Sequence, residues 1–427
     1  DHGIPWPAFV AAFLILLGFA LFTPLAAWWL GQALLPLFRR WFGFAGEMGC
    51  RYLSGSLSRS AVSIAALSTA LGLVIAVAVM IGSFRQTVDD WVHRSISGDI
   101  FFGPAVFSTS SYDQFLPPQV LQALEQDPRV ADLYHYRCVR LPYRDRYILV
   151  IGGSFDVLAR RGGLWFRQGD PQATMARARA AGQVLVTEPF AATFGVREGG
   201  WLTLPTPSGP QQLQVAGVFY DYRTDGAAVW MDIKLFQKFW QDTQINAVRV
   251  FLQDKSLLPE FQAHLQQTYQ SRYRLVALSH QDLKDGILRI FDETFALTYA
   301  LEGVAVLVAV FGIITTFLVL VMERERELAL LQALGASRGQ IMGMVLVESG
   351  LASLLSYILG ALSGSVLALL LIKVINKQAF GWTIHLFLAP DIYWQTLVLV
   401  LALGLAAGVY PAWRAMQPHI AAILKEE

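Results

Sequence analysis

Cysteine is nearly absent from this chain of 427 residues: Cys50 and Cys138 are the only two. Two are too few for a disulfide framework or a cysteine-based zinc site. Charge is scarce and balanced, with 33 Lys and Arg against 32 Asp and Glu and a net charge of +1. That removes the electrostatic case for a nucleic-acid partner. The sequence has no G-x-x-x-x-G-K-[ST] phosphate loop and no Walker-B-like strand, so it has no usual backbone nest for ATP. It also has no G-x-S-x-G elbow and no H-E-x-x-H. The seven histidines, His2, His93, His135, His264, His280, His385 and His419, are scattered. Asp99, Asp221 and Asp225 are the one carboxylate set worth weighing. Asp99 lies beside a predicted membrane exit and the other two in a turn, which favours solvated or capping roles over catalysis.

What the chain has in abundance is apolar sequence, 55% of its residues, gathered towards both ends. A spanning helix needs about 20 mostly apolar residues. Five stretches qualify, at 8–38 (interrupted by Pro24 and Pro36), 61–84, 295–322, 341–375 and 394–413. Lys and Arg are enriched on the cytoplasmic side of membrane proteins. Arg39, Arg40, Arg51 and Arg59 join spans one and two, Arg324, Arg326 and Arg338 join spans three and four, and Arg414 and Lys425 follow span five. These connections are therefore predicted inside, and the N-terminus, the polar middle at 85–293 and the loop at 376–393 outside. The two cysteines then fall on opposite sides and stay unpaired. The first span lacks a basic leader and is too long for a signal peptide, so it is expected to be retained. A start at Asp1 rather than Met suggests a fragment or a processed chain.

The polar middle is long enough for a domain with its own core. Alternating or β-rich runs at 147–151, 184–187, 201–204, 213–219 and 247–252 predict strands. Helical patterns appear at 118–125, 234–241 and 257–269. Residues 204–210 predict a loop or hairpin tip, because three prolines supply no ladder donors. The fold class expected is an α-helical membrane bundle of five spans with an α+β extracytoplasmic domain inserted between spans two and three.

The connection between spans three and four carries alternating charges from Glu323 to Glu327, followed by Leu328, Leu331 and Leu334 with Leu330 at helical spacing. Gly335 suits a helix C-terminus, and Ser337 can cap the next helix. Two readings fit equally: an interfacial anchor or a protein-docking element. Gly360 and Gly364 in span four, and Gly404 and Gly408 in span five, permit close helix packing. Glu348, about two turns into the membrane, either finds a partner there or snorkels to the interface. Glu302 is expected near the outer boundary, with no transport role.

The run from Glu323 through Arg324, Arg326, Glu327, Leu328, Leu331, Leu334, Gly335, Ala336 and Ser337, followed by Glu348-Ser349, resembles the hallmark region of the FtsX-like permeases, membrane subunits of type VII ABC transporters. Arg51 and Arg59 before span two, and Val409-Tyr-Pro-Ala-Trp-Arg-Ala415 in span five, agree with it. So do Gly182-Gln-Val-Leu-Val-Thr-Glu-Pro-Phe-Ala191 and Val215-Ala-Gly-Val-Phe-Tyr-Asp221 in the middle. A basic permease has four spans, and the extra span here resembles the C-terminal half of a duplicated ten-span permease, about half of a longer protein. The resemblance implies a linking helix and cytoplasmic connection at 1–48, the first span of the unit at 49–94, an extracytoplasmic domain at 95–290, and a three-span permease domain at 291–427. Within the last, residues 323–337 would be a coupling helix.

The resemblance further implies a multi-pass subunit of the bacterial cytoplasmic (inner) membrane that is not an enzyme and binds no cofactor or metal. ATP and Mg would be used by a cytoplasmic ABC ATPase dimer. A second permease unit, the N-terminal half or another subunit, and an extracytoplasmic accessory protein are the other implied partners. Two functions fit: export or extraction of a lipid, lipoprotein or amphiphile, or non-transporting mechanotransmission to an extracytoplasmic enzyme.

Overall fold

The computed structural model describes residues 6–55, 57–104, 112–222, 227–322, 327, 330, 331 and 334–415. The chain divides into a helical unit (1–84, 295–375 and 385–427) and a second unit (85–294 and 376–384).

The helices of the first unit are α1 (Trp6–Gly55), α2 (Leu57–Ser95), α10 (His280–Met322), α11 (Arg338–Leu370) and α13 (Pro390–Ala415), of which α2 and α10 also contribute residues to the second unit. Among the described residues, four helices are long and apolar enough to cross a membrane: Trp6–Gly55, Ala61–Ser95, Arg338–Asn376 and Pro390–Val409. The remaining predicted stretch, 295–322, forms the later part of the continuous helix α10. Helix α2 runs on beyond the apolar stretch expected at 61–84, because Arg85–Ser95 continues the same backbone without a Gly or Pro to stop it.

Helix α1 breaks where the sequence does not predict it. Pro24 and Pro36 sit inside it, and the backbone leaves helical geometry at Gly43, with φ 55° and ψ −131°. A β-carbon on Gly31 would meet the Cys50 carbonyl and the Ser54 Cβ, both at 3.0 Å, so the chain folds back on itself at Gly43. A proline removes one N–H donor and bends a helix, whereas a reversal needs a backbone conformation that only glycine adopts readily. Across the reversal Glu47 pairs with Arg39 at 3.4 Å, and on its own side of the break it pairs with Arg51 at 2.8 Å. Cys50 and Cys138 are both buried, and they form no disulfide with each other.

Among the described residues, the second unit is built on a nine-stranded sheet. Its elements are β1 (Ile100–Pro104), α3 (Pro118–Glu125), β2 (Val130–Tyr143), β3 (Arg146–Gly153), α4 (Phe155–Arg161), α5 (Pro171–Ala181), β4 (Val184–Thr187), α6 (Glu188–Phe194), β5 (Trp201–Thr206), β6 (Gly209–Phe219), β7 (Ala228–Asp232), α7 (Ile233–Trp240), β8 (Ala247–Leu252), α8 (Leu258–Leu265), the short α9 (Ser271–Tyr273) and β9 (Leu275–Ser279). The short α12 (Lys377–Phe380) lies in the second stretch of this unit. Strand order is β5-β6-β4-β7-β3-β2-β8-β1-β9, with β3–β7 and β4–β6 parallel and the other pairs antiparallel.

Side chains of the central strands alternate between two cores. Leu149 and Ile151 of β3, with Trp230 of β7, pack against Phe155 and Met175. Ile148 and Val150, with Val229 and Met231, pack against Phe190 and Phe236. Alternation sends successive side chains to opposite faces, so helices cover both sides and the strands read as unbroken apolar runs. A third core joins Ile100, Phe102, Val250 and Phe261 near the β9 edge.

The proline-rich stretch 204–210 is paired further than the sequence predicts. Pro205 faces Pro210 and Thr206 faces Gly209, leaving Pro207 and Ser208 as the tip. Facing residues alternate between pairs that exchange N–H bonds and pairs that do not, and two prolines opposite each other suit the second kind.

Replacing Gly43 by Ala puts a Cβ into a φ/ψ region that penalises L residues, at a cost of about 1–3 kcal/mol. Thermal unfolding of the purified chain should show a lower midpoint. An unchanged midpoint would mean that the reversal at Gly43 is not a structural requirement.

Candidate coupling element and helix seam

Of the residues expected to couple to an ATPase, Glu323, Arg324, Arg326 and Leu328 lie outside the described residues. Glu327 is exposed. Leu331 and Ala336 turn inward onto a cluster of Ile341, Met344 and Val345, joined by Ala45, Met48 and Tyr52. Leu330 and Leu334 project outward, 58% and 77% exposed. The single leucine stripe is thus divided. Leu334 sits in a turn ending at Gly335, whose φ is 101°, and is carried away from the side on which Leu331 packs. Leu334 N–H donates to the Leu330 carbonyl at 3.0 Å and Ala336 N–H to the Leu331 carbonyl at 2.9 Å. Ser337 then opens α11 with a reciprocal cap: its hydroxyl accepts from Gln340 N–H at 3.2 Å, and the Gln340 side chain accepts from Ser337 N–H at 2.8 Å.

The four predicted packing glycines serve two different contacts. Gly360 and Gly364 of α11 face Gly72 of α2. A Cβ on Gly364 would lie 2.6 Å from the Gly72 carbonyl, and one on Gly360 2.8 Å from the Leu71 Cβ. Gly404 and Gly408 of α13 face Ser353 and Ser349 of α11; a Cβ on Gly408 would lie 2.5 Å from the Ser349 hydroxyl. Sequence reading did not single out Gly72 or Ser353, and named Ser349 only within the family motif; small residues at i, i+4 spacing along α11 were the available signal. Ser349, Ser356 and Ser363 donate to the carbonyls of Val345, Ala352 and Gly360 on their own helix, at 2.7, 2.8 and 3.2 Å. The fully buried Ser353 hydroxyl has no hydrogen-bond partner among the described residues. Glu348 is buried on the same helix.

Two of the polar clusters in the second unit involve titratable groups in close contact. In the first, Glu188 at the start of α6 is 5% exposed; its carboxylate accepts from Thr383 N–H at 2.9 Å and from the Thr383 hydroxyl at 2.5 Å. The Tyr222 hydroxyl donates to the Thr383 carbonyl at 2.6 Å. Burial, reinforced by the Glu188 charge, holds the Tyr222 phenol far above its usual range, so it stays a donor. In the second, Lys284 lies 2.8 Å from both the Asp89 carboxylate and Nε2 of His93. His280 stands beside His93, their ring centroids 6.1 Å apart. Burial, with His93 and Lys284 nearby, lowers the His280 pKa. Of the three carboxylates weighed earlier, Asp225 lies outside the described residues. Asp221 is buried, and Asp99 accepts from Leu252 N–H at 2.8 Å, a structural role. No group of His, Cys, Asp and Glu that could hold a metal occurs among the described residues.

Comparison with known families matches two regions of the chain. Residues 300–420 match the FtsX-like permease C-terminal domain, and residues 60–268 the MacB-like periplasmic core domain. Both matched regions are domains of ABC transporter permeases, and the chain is similar to the FtsX-like family. It is 29% identical over 423 residues to an uncharacterized ABC transporter permease protein of Mycobacterium tuberculosis, covering 98% of this chain and 50% of that protein. The macrolide export ATP-binding/permease protein MacB of Bdellovibrio bacteriovorus is 26% identical over 43% of this chain and 28% of its own length. The lipoprotein-releasing system transmembrane protein LolC of Haemophilus influenzae is 28% identical over 30% of this chain and 33% of its own. The permease chain thus spans half the length of the first of these relatives and about a third or less of the others. It is a membrane component of the ABC transporter permease class, with apolar helices and a large domain of the extracytoplasmic type.

Two predictions test these sites. Gly364→Val should lower stability by about 1–3 kcal/mol through overpacking, whereas Gly18→Ala, where a Cβ meets nothing within 4 Å, should be tolerated; equal melting of both variants would remove the seam from the account. For His280 the sign follows from its lowered pKa. Below its ordinary value of 6.5 the unfolded chain takes up a proton that the folded chain resists, so stability falls as pH drops below that point. Thermal melts at pH 7.5 and 5.5 should show less acid sensitivity in His280→Gln than in the parent, and parallel pH profiles would count against it.

Proposed function

We propose that the chain is the ATPase-coupled half of a larger membrane permease, with α1, α2, α10, α11 and α13 as five spans and the second unit outside the cytoplasm. Basic connections support this orientation: Arg39, Arg40 and Arg51 follow the first apolar stretch and Arg338 opens α11. The membrane is the cytoplasmic membrane of a bacterium. A cytoplasmic ABC ATPase dimer binds ATP and Mg, since this chain has no phosphate loop, and a second permease unit completes the assembly.

The observation that carries the reading is the exposed pair Leu330 and Leu334, set between charged Glu327 and the glycine turn at Gly335, in the segment matched by the FtsX-like domain. A short apolar element projecting from long helices fits a groove on a partner and can pass on a rigid-body movement. That movement drives the extracytoplasmic domain to export or extract a lipid, lipoprotein or other amphiphile. The functions for which MacB and LolC are named, macrolide export and lipoprotein release, support that cargo class.

Leu330→Asp with Leu334→Asp should abolish co-purification of the ATPase while leaving the chain in the membrane fraction. Retention of the ATPase would remove the coupling role. Topology is checked separately, because both native cysteines are buried. Tyr147→Cys should react with an impermeant maleimide on intact cells, and Leu334→Cys only after permeabilisation; the reverse pattern would invert the orientation.

A further inference from the structure

Residues 376–384 are flanked on both sides by sequence of the helical unit, yet they are built into the second unit. The contacts that hold them are specific. Glu188 turns both carboxylate oxygens onto Thr383, one to its N–H and one to its hydroxyl. A carboxylate can accept at both oxygens at once, and bonds to a charged acceptor are stronger than neutral ones. Lys377 lies 4.0 Å from the same carboxylate. Tyr222 closes the other side of Thr383 through its carbonyl, and the Tyr222 ring packs edge-on against Trp382 and Trp91, with centroids 6.0 and 5.8 Å away. At Gly381 the backbone takes a φ of 72°, and a Cβ there would lie 3.7 Å from the Cα of Pro189, the residue after Glu188. Ile384 is buried at the end of the segment. Two of the sequence blocks that resemble the permease family, 182–191 and 215–221, therefore meet this contact, one containing Glu188 and the other leading directly into Tyr222.

We propose that Glu188, Tyr222 and Thr383 form a clasp that makes 376–384 a third tether of the second unit, beside the chain passages in α2 and α10. The tether joins the domain to the link between α11 and α13, the helices that follow the coupling segment. The inference rests on the ABC permease reading and adds to it the route by which movement reaches the domain. In this role Glu188 is a positioning residue: it touches no cargo and acts by fixing Thr383. A buried carboxylate left without its donors is costly, so the clasp resists opening during the stroke.

Hydrogen exchange on the full chain tests the clasp first. Thr383→Val and Tyr222→Phe, both near-isosteric, should speed exchange of the amides of 376–384 at least tenfold while those of β3 and β7 keep parental rates. Unchanged protection of 376–384 in both overturns the clasp, whatever the chain does in the cell. The second measurement uses the permease with its ATPase, comparing nucleotide-free and ATP-vanadate-trapped states. The parent should show a nucleotide-dependent change in exchange at β4 and α6, and the two variants should lose most of it. A full response in variants whose 376–384 segment is released overturns the tether's role. Absence of any nucleotide response in the parent overturns that role together with the function it rests on, leaving the first measurement to decide the clasp alone.

Discussion

The helical unit depends on the missing β-carbons at Gly72, Gly360 and Gly364. Inside a lipid bilayer the hydrophobic effect does not press one apolar helix against another, because acyl chains are as apolar as leucine. What remains is dispersion, which is small per atom pair and falls steeply with distance. Close approach therefore decides whether α2 and α11 associate. With a glycine on α2 and two on α11 the backbones come near contact, and Leu71, Ile75, Leu359 and Leu367 fill in around them. The Gly404 and Gly408 contacts with Ser353 and Ser349 apply the same principle to α13, and Gly49 lets α1 approach Val347, where a Cβ would be 2.7 Å away. Helix α11 thereby becomes the common partner of α1, α2 and α13.

Much of this was legible in the sequence because it is written in local patterns. Uncharged runs give long helices in whichever order they occur, and i, i+4 glycines give close packing. Strand β3 reads clearly as an unbroken apolar run. Strands β1, β2, β7 and β9 fall outside the runs that predict strands. Strand β2 carries Asp132, His135, Arg137 and Arg140 among its apolar residues and has a register irregularity between Val130 and Asp132. Strand β7 is five buried residues followed directly by a helix. The break at Gly43 was hidden behind two prolines, a louder signal for helix interruption. The outward turn of Leu334 depends on the glycine conformation after it, which leucine spacing does not encode. Glu188 and Thr383, 195 residues apart, illustrate the last limit: a carboxylate in an apolar block gives no local hint of its acceptor role.

The interior of the sheet unit follows the rule that buried polar groups are partnered. Arg137, almost fully buried on β2, pairs with Asp242 at 2.8 Å and donates to the Asn246 side chain at 3.0 Å. The same Asn246 oxygen accepts from Cys138 N–H at 2.8 Å, while its amide nitrogen donates to the carbonyls of Tyr112 and Gln114. This network ties β2 to the start of β8 and to the chain leading into α3. At the sheet edge, Gln262 and Gln266 both donate to the Ala277 carbonyl of β9, at 3.1 and 3.2 Å. An edge strand so occupied has fewer free groups with which to recruit a foreign strand.

The two units thus use contacts of different mechanical character. Glycine and serine seams between helices are close but carry few directional bonds, since the serine hydroxyls at 349, 356 and 363 are spent on their own helix. Such a surface loses little when it slides by a fraction of an ångström and much when it separates, because dispersion depends on distance rather than alignment. The Glu188 contact is the opposite case. Two short bonds to one residue, in a buried site, tolerate neither sliding nor separation. The helix seams are therefore the compliant contacts of the helical unit, and the Glu188 clasp is a rigid, directional contact within the sheet unit.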